Sequence, residues 1–535
     1  MKNLKIKTGI LTLGLLLSAV SCEQYLDIND NPNQVAIELV TPNELLPVGI
    51  TKTYSTQGRT LMQFSSVVMN SLAGNSLSYG APYIDDYKPN VSNTFYNTIW
   101  DGLYLGTANF EQIIKYNDPE GKYAQYKAIA KIMKANYIQI LTDLYGDMPY
   151  SEAFQQQGNL TPKYDKGENI YRASITDLED AIAIIDSHVG DAPTTADIVF
   201  QGNMTNWKAF ANTLKLRYLL RMSNIPSGDL ATFRDQKLAT LSSATFINQN
   251  VLENPGYSAA NDSQQNPFTG SFVLTTALSR PQNYSYNVAS ENIQIILNGN
   301  SEADTRSVYQ KFTGVVDGRR ARMFNLVGGK VVGIRQGNLP GDAGVPTGGT
   351  LSRFNYGITI TGTSTPTSNA QLLAMTSSKS GCIMSLAESK FLQAEAALRY
   401  PSLFPTVNAQ ANFTAGITAS FTFFGSNTGT LLSTYLGAIT TKTGLGWIGS
   451  DTNKIEAIMT QKWIALTGVN PEQSYFDYTR TGFPVTLSAT IATNPKPNRL
   501  IYPLSEYIAN SGNVPAISNT DVFSKNQYTP FWGRN

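Results

Sequence analysis

Histidine is almost absent: the 535 residues contain one, His188. A Ser–His–Asp triad or a His general base would have to use it, and a two-His zinc site cannot be built at all. It follows "AIAIIDS" at the end of a helical pattern, where it reads as a surface or C-terminal helix residue. Cysteine is nearly as scarce, with Cys22 and Cys382 alone, so no disulfide framework staples the chain. Charge is low as well. Charged residues make up 15%, and 40 basic against 39 acidic side chains leave a formal net charge of +1. A nucleic-acid or anionic-membrane partner needs a basic excess that is not there. No apolar run reaches the roughly 20 residues that span a bilayer.

Tyrosine is abundant, with 28 residues beside 23 Phe and 5 Trp. Low charge with many Tyr, Asn and Gln suits recognition of neutral polar ligands, and equally an ordinary secreted surface. At 41% hydrophobic there is ample material for a core.

The N-terminus carries Lys2, Lys5 and Lys7, then Ile10 to Val20, apolar apart from Thr12, Gly14 and Ser18. A basic start, a short apolar stretch and small residues before a cut site describe a secretory signal over residues 1–21. Cleavage before Cys22 would make that cysteine the acceptor of a diacylglyceryl anchor, as in bacterial lipoproteins. "SAVSC" is a loose lipobox with Ala19 where Leu is more usual; an ordinary signal peptide with a nearby cysteine is the alternative. A lipidated Cys22 leaves Cys382 without a partner, as a small buried apolar residue at the start of a helical pattern. Asp27, Asn29, Asn31 and Glu38 match four positions of a calcium loop, but Pro32 stands where that loop needs Gly. The run reads as an extended leader, and neither a metal nor a cofactor is expected.

Periodicity of 3.6 residues predicts four helix pairs. The first spans about 97–116 and 121–145, with Ile129, Ile132, Met133, Ile140, Leu141 and Leu144 on one face and Gly146 as C-cap. The second spans about 168–188 and 205–223, with Tyr171, Ile175, Leu178, Ile182 and Ile185 facing Trp207, Phe210, Leu214 and Tyr218. The third spans about 383–399 and 406–424, and the fourth about 452–467 and 472–480. Stacked αα-hairpins form a solenoid or a bundle. The predicted organisation is one mainly α domain over 22–535. Its helical scaffold covers about 97–246 and 383–480, and its loop-rich part about 247–382. That part is rich in Gly, Pro, Thr and Ser, with room for short strands such as Lys330 to Ile334. A loop region this long inside a domain usually has a function. The stretch from Gly74 to Asn97 has the same character.

Two motifs are set aside. "GLGWIG", Gly444 to Gly449, matches a dinucleotide fingerprint but lacks the preceding strand, and Trp447 would crowd a pyrophosphate. It reads as a lead into the following helix. Asp143 and Asp147 could form a glycosidase carboxylate pair; local capping around Gly146 and Pro149 is the commoner use of such residues.

Taken together, "CEQYLDINDNPN" at Cys22, "LTDLYGDMPYSEAF" at Leu141, "NWKAFANTLKLRYLLRMS" at Asn206, "SLAESKFLQAEAALR" at Ser385, "KIEAIMTQKWIAL" at Lys454, "YFDYTRTGFP" at Tyr475, "RLIYPLSE" at Arg499 and the C-terminal "DVFSKNQYTPFWGR" carry a resemblance. The chain resembles the SusD/RagB-like nutrient-binding outer-membrane lipoproteins of Bacteroidetes. The resemblance implies a mainly helical SusD-like fold with four tetratricopeptide-like pairs. It also implies a lipid anchor at the cell surface and a SusC-like TonB-dependent transporter as partner. The ligand it implies is an oligosaccharide or, in some branches, an oligopeptide, and catalysis is not the family's task. Glu388, Lys390 and Arg480 match family landmarks and are expected to be structural, since buried charges survive only when paired. The resemblance puts ligand contacts in the two loop regions. There the candidates are Asn75, Tyr79 and Tyr83 in the first, and Asn283, Tyr284 and Tyr286 of "RPQNYSYN" in the second. Sugar rings offer C–H faces to such aromatic rings, and hydroxyls or amides meet Asn, Gln and Arg at the rim.

Overall fold

The computed structural model describes residues 40–74, 89–155, 158–338, 342–343, 345–346, 350–355, 368–490 and 492–535. The signal segment, Cys22 and the Asp27–Glu38 run lie outside them, as do Asn75, Tyr79 and Tyr83.

Helix begins earlier than the periodicity indicates. α1 (Pro42–Thr56) starts on a capping box, in which Thr41 N–H donates to Glu44 Oε2 at 3.0 Å. A π-turn, Gln57–Leu61, joins it to α2 (Met62–Val68). The first predicted pair follows as α3 (Thr98–Lys115) and α4 (Ala124–Tyr145), and the second as α5 (Gly167–Ser187) and α6 (Met204–Arg221). α7 (Asp229–Ala239) packs on α6. Short helices punctuate the predicted loop region, among them α8 (Gln282–Tyr286), α9 (Glu291–Asn298) and α10 (Asn369–Thr376). The third pair is α11 (Leu386–Arg399) and α12 (Ala409–Phe423). After α13 (Leu431–Ile439), the fourth is α14 (Asp451–Leu466) and α15 (Pro471–Thr481).

Each predicted pair packs on itself, and the pairs pack on one another in order: α3 on α4, α4 on α5, α5 on α6, α6 on α11, α11 on α12 and α14, α14 on α15. α15 meets α2, and α1 lies against α3, so the helical layer closes on itself. Close approach of α1 and α3 needs small residues: a Cβ on Gly49, Gly102 or Gly106 would collide with Phe110, Thr56 or Thr53. α4 is buried over nearly its whole circumference, as the central helix of the layer. Local chemistry sets the ends. Gly146 at φ 74° follows α4, and Asn203, Ser385 and Ser450 cap α6, α11 and α14 through their side chains. His188 is the left-handed C-cap of α5, exposed as expected. No helix among the described residues is long and apolar enough to cross a membrane.

Charges are buried where the third and fourth pairs meet α6. Asp477 lies 3.0 Å from Arg221, 2.8 Å from Lys462 and 3.1 Å from Arg480. Arg480 also grips Glu395 through Nη2 at 2.9 Å, and Glu388 faces Arg217 at 3.5 Å and Lys462 at 3.9 Å. Glu388 and Arg480 are thus buried and paired. Lys390 differs. It is half-buried on α11 and makes no ion pair among the described residues, and burial lowers its pKa.

The described strands form three antiparallel two-stranded ribbons: β1 (Leu72–Gly74) with β5 (Asn287–Ala289), β2 (Met148–Pro149) with β3 (Tyr164–Asp165), and β4 (Val251–Glu253) with β6 (Gly381–Met384). Cys382 lies in β6 rather than at the start of a helix; it is buried and free. Lys330 to Ile334 forms no strand. Only isolated bridges join Lys330 to Val327 and Ile334 to Ser290. β6 passes so close to α1 that a Cβ on Gly381 would strike the ring of Tyr54 and the carboxylate of Glu253. Gly381→Ala should therefore cost about 1–3 kcal/mol in urea unfolding, the range for overpacking a core; an unchanged midpoint would show that β6 can shift.

Candidate ligand-binding surface

The register of β1 and β5 brings the two predicted loop regions to one place. Leu72 pairs with Ala289, Ala73 with Val288 and Gly74 with Asn287. Gly74 is the last residue before the segment that contains Asn75, Tyr79 and Tyr83, and Asn287 directly follows Tyr286. The ribbon stands on its own small core of Ala73, Val288, Ile334 and Leu351, with Val332 against it. Backbone bonds tie the surrounding chain to it: Ala289 N–H donates to Ser352 O at 2.7 Å, Ile334 N–H to Ala289 O at 3.1 Å and Ser352 N–H to Val332 O at 2.8 Å. At its far end Ser290 caps α9, its Oγ accepting from Ile293 N–H at 3.1 Å, and donates to Asn70 O.

On this base α8 presents Asn283, Tyr284 and Tyr286 within one turn, all half-buried. Asn287 Nδ2 donates to Asn283 O at 3.0 Å and holds the turn to the strand. Tyr284 is not a bare ring. The guanidinium carbons of Arg280 and Arg353 lie 4.3 and 5.1 Å from its centroid. Arg353 Nε donates to Tyr284 O at 2.7 Å and Nη1 to Leu351 O at 3.1 Å. Arg280 Nη1 donates to Val273 O at 2.8 Å, and Nη2 lies 3.4 Å from Asn369 Oδ1 at the start of α10. Burial lowers the pKa of Arg353, and the like charge of Arg280 acts in the same direction. Two guanidiniums so close fix the ring and supply N–H donors beside it. A planar guanidinium has five such donors, enough to meet ligand hydroxyls or carbonyls after its structural bonds are made. Of the predicted residues, the structure thus gathers Asn283, Tyr284 and Tyr286. The arginines were missed by the sequence reading. Arg280 stood inside the quoted "RPQNYSYN", whereas Arg353 had no local signal.

The carboxylate pair resolves into capping and core. Asp143 is fully buried, bonded to Trp532 Nε1 at 2.7 Å and to Tyr171, with Arg221 Nε at 3.2 Å. Burial pushes its pKa up to about 6, against the pull of Arg221. Asp147 takes the N–H of Gly167 at 2.9 Å and Lys166 Nζ at 2.8 Å. With one acid sealed in the core and the other capping α5, the two cannot flank a glycosidic bond. "GLGWIG" leads into the N-cap of α14, and Trp447 packs on Phe413 at 5.3 Å. Among the described residues no three His, Cys, Asp or Glu converge on a metal site.

A family model described as SusD-like, starch-binding and associating with the outer membrane matches residues 32–503. No curated protein matches the chain. Solved structures share its fold at low identity. A SusD homologue from Bacteroides uniformis is 22% identical with a TM-score of 0.66, over 92% of this chain and 99% of that one. A chitin-binding SusD homologue from Flavobacterium johnsoniae is 21% identical with a TM-score of 0.65, over 92% and 98%. A SusD homologue from Bacteroides thetaiotaomicron is 19% identical with a TM-score of 0.63, over 93% and 100%. The chain belongs to the SusD-like family of starch-binding proteins that associate with the outer membrane.

Proposed function

We propose that this chain is a cell-surface lipoprotein, anchored through Cys22, that captures oligosaccharides and passes them, as a lid, to a SusC-like TonB-dependent transporter. Its task is binding, without catalysis. The ligand is held by Asn283, Tyr284 and Tyr286 together with Asn75, Tyr79 and Tyr83, and by Arg280 and Arg353 beside them. The observation that supports this most is the β1–β5 register, which joins the ends of two segments rich in Tyr and Asn. Rings and fixed N–H donors side by side suit the C–H faces and hydroxyls of a sugar. The outer-membrane, starch-binding character of the family supports the substrate class. A chitin-binding relative of the same fold supports a second glycan to test. Affinity is expected to be moderate, because loop ordering and lost freedom offset the contacts, and a lid has to release what it holds.

Titration of the purified protein with maltoheptaose and chitohexaose tests the reading. Simultaneous replacement of Tyr79, Tyr83 and Tyr284 by Ala should weaken binding of the preferred glycan about tenfold or more while leaving the melting temperature within a few degrees. Unchanged affinity removes these residues from the site. Binding of oligopeptides with no glycan binding moves the substrate class to peptides. Mild detergent extraction and affinity capture should bring down the transporter barrel; its consistent absence overturns the lid role.

A further inference from the structure

A cavity of about 560 Å³ opens where the C-terminal ends of α6, α11 and α15 meet α7 and the start of α14. That volume is in the range of small-molecule sites. Arg234 of α7 stands in its wall and is only 6% exposed. Its Nε donates to Asp235 Oδ1 at 2.8 Å, and its Nη1 to Met222 O at 2.9 Å and Ile225 O at 2.7 Å. Nη2 bonds nothing among the described residues. It is not sealed in the core, as the Nε of Arg480 in the same wall is, and keeps a face open to the cavity.

Two further sets of unused donors line the same space. Of the Arg399 guanidinium only Nε is bonded, to Glu395 Oε1 at 2.7 Å, which leaves Nη1 and Nη2. Tyr400 Oη also has no partner among the described residues and is not sealed in. The guanidinium carbon of Arg234 lies 5.5 Å from the centroid of the Tyr400 ring. Burial raises the pKa of the Tyr400 hydroxyl, and Arg234 and Arg399 both oppose the rise, so the three groups share one electrostatic neighbourhood.

The acids around them are already engaged. Asp235 holds Arg234, Glu395 is shared by Arg399 and Arg480, and Asp451 at the exposed rim pairs with Lys454 at 3.1 Å. Arg480 is committed to Glu395, Asp477 and Ser223 Oγ. What the cavity leaves to a ligand is therefore a set of N–H and O–H donors on cations and a phenol. Leu398, Ile455 and Phe483 add apolar wall.

We propose that this cavity binds a small molecule through an oxyanion group. Arg234 Nη2, the free Nη atoms of Arg399 and Tyr400 Oη meet its oxygens, as charge-assisted donors do, and the apolar wall packs on the carbon skeleton. The group could be a phosphate ester or a carboxylate, and the probes separate these sources. The site shares no residue with the oligosaccharide surface, so each can fail without the other.

The purified protein is titrated at low salt with galactose 6-phosphate, with galacturonate and with neutral galactose, followed by saturation-transfer NMR. At least one of the two acids should bind about tenfold better than galactose, in line with charge-assisted bonding. Preference for the phosphate means that a tetrahedral group is read, preference for galacturonate that a planar one is, and equal binding that charge suffices; each supports the site. Arg399→Gln should weaken binding about threefold to tenfold and Tyr400→Phe about threefold, whereas Asp235→Asn should strengthen it about threefold by removing a like charge. Arg234→Lys, which keeps the charge but loses the fork, should weaken it further. Should that variant fail to fold, the opposite signs at Arg399 and Asp235 still decide. Acids that bind no better than galactose, or binding that ignores Arg399→Gln, overturn the proposal.

Discussion

Asp477→Ala should destabilise the protein by about 3–5 kcal/mol, the range for removing one partner from a buried ion pair. Asp477 is the shared anion of Arg221, Lys462 and Arg480, on three separate helices. Its loss leaves Glu395 to Arg480 and Glu388 to Lys462, the latter at 3.9 Å, while Arg221 keeps Asp143 at 3.2 Å. Three buried cations would then face fewer anions with no water to screen them. Asp477→Asn should lose less, since its amide oxygen can still accept hydrogen bonds. Urea unfolding at pH 7 measures both. An Ala variant within 1 kcal/mol of the parent, an arbitrary but generous margin against the about 3 expected, would show that the network is dispensable.

The pH dependence of this site follows from the same geometry. Burial by itself would raise the Asp477 carboxyl, but Lys462, Arg221 and Arg480 outweigh it and hold the pKa far below the ordinary 3.8. A carboxylate depressed on folding stabilises the fold at every pH above its unfolded pKa. That contribution fades only as pH falls below the ordinary value toward the depressed one. The helix pairs should therefore stay locked at mildly acidic pH, and the Asn variant should part from the parent least in strong acid.

The four helix pairs could be read in advance because their stripes run for many turns. Tyr171, Ile175, Leu178 and Ile185 repeat at helical spacing, and all are buried against the layer. α1 and α2 were missed for the opposite reason. Pro47, Gly49 and Gly58 break the pattern, and what rescues the helix is its packing on α3, where Gly49 is needed for contact with Phe110. The start signal was nevertheless present as Thr41-Pro42-Asn43-Glu44. The ribbons could not be read, because strands of two to four residues show no alternation and their partners are remote in sequence. Cys382 was drawn into α11 for this reason: β6 runs into the helix with only Ser385 between them. At the site, Tyr284 and Tyr286 share a turn and could be named together. Arg353 reaches Tyr284 only through the long-range pairing that sets the ribbon beside it. Arg was expected at the rim of such a surface, but nothing in the local sequence singled out Arg280 or Arg353.

Glu253 gives the sharpest pH signature of the opposite sign. It sits at the end of β4, fully buried, where Tyr257 Oη donates to its Oε1 at 2.7 Å and Oε2 has no partner. No cation pairs with it among the described residues, so burial raises its pKa from 4.5 to about 8, with the Tyr257 bond opposing only in part. Between these two values the folded state holds a proton that the unfolded chain has released. Stability then falls as pH rises, with its full loss reached above pH 8. At about 1.4 kcal/mol for each tenfold change in proton affinity, the loss is at most about 5 kcal/mol. Glu472 and Asp143, raised to about 7 and about 6, add loss of the same sign at lower pH. Glu253→Gln keeps an acceptor for Tyr257 and cannot ionise, so the variant should gain stability relative to the parent as pH rises from 5 to 8. Groups common to both cancel in that difference, among them Lys496, whose pKa burial lowers to about 7. Urea midpoints across that range decide the matter. If parent and variant fall in parallel, the carboxyl is not the neutral acid that its surroundings require.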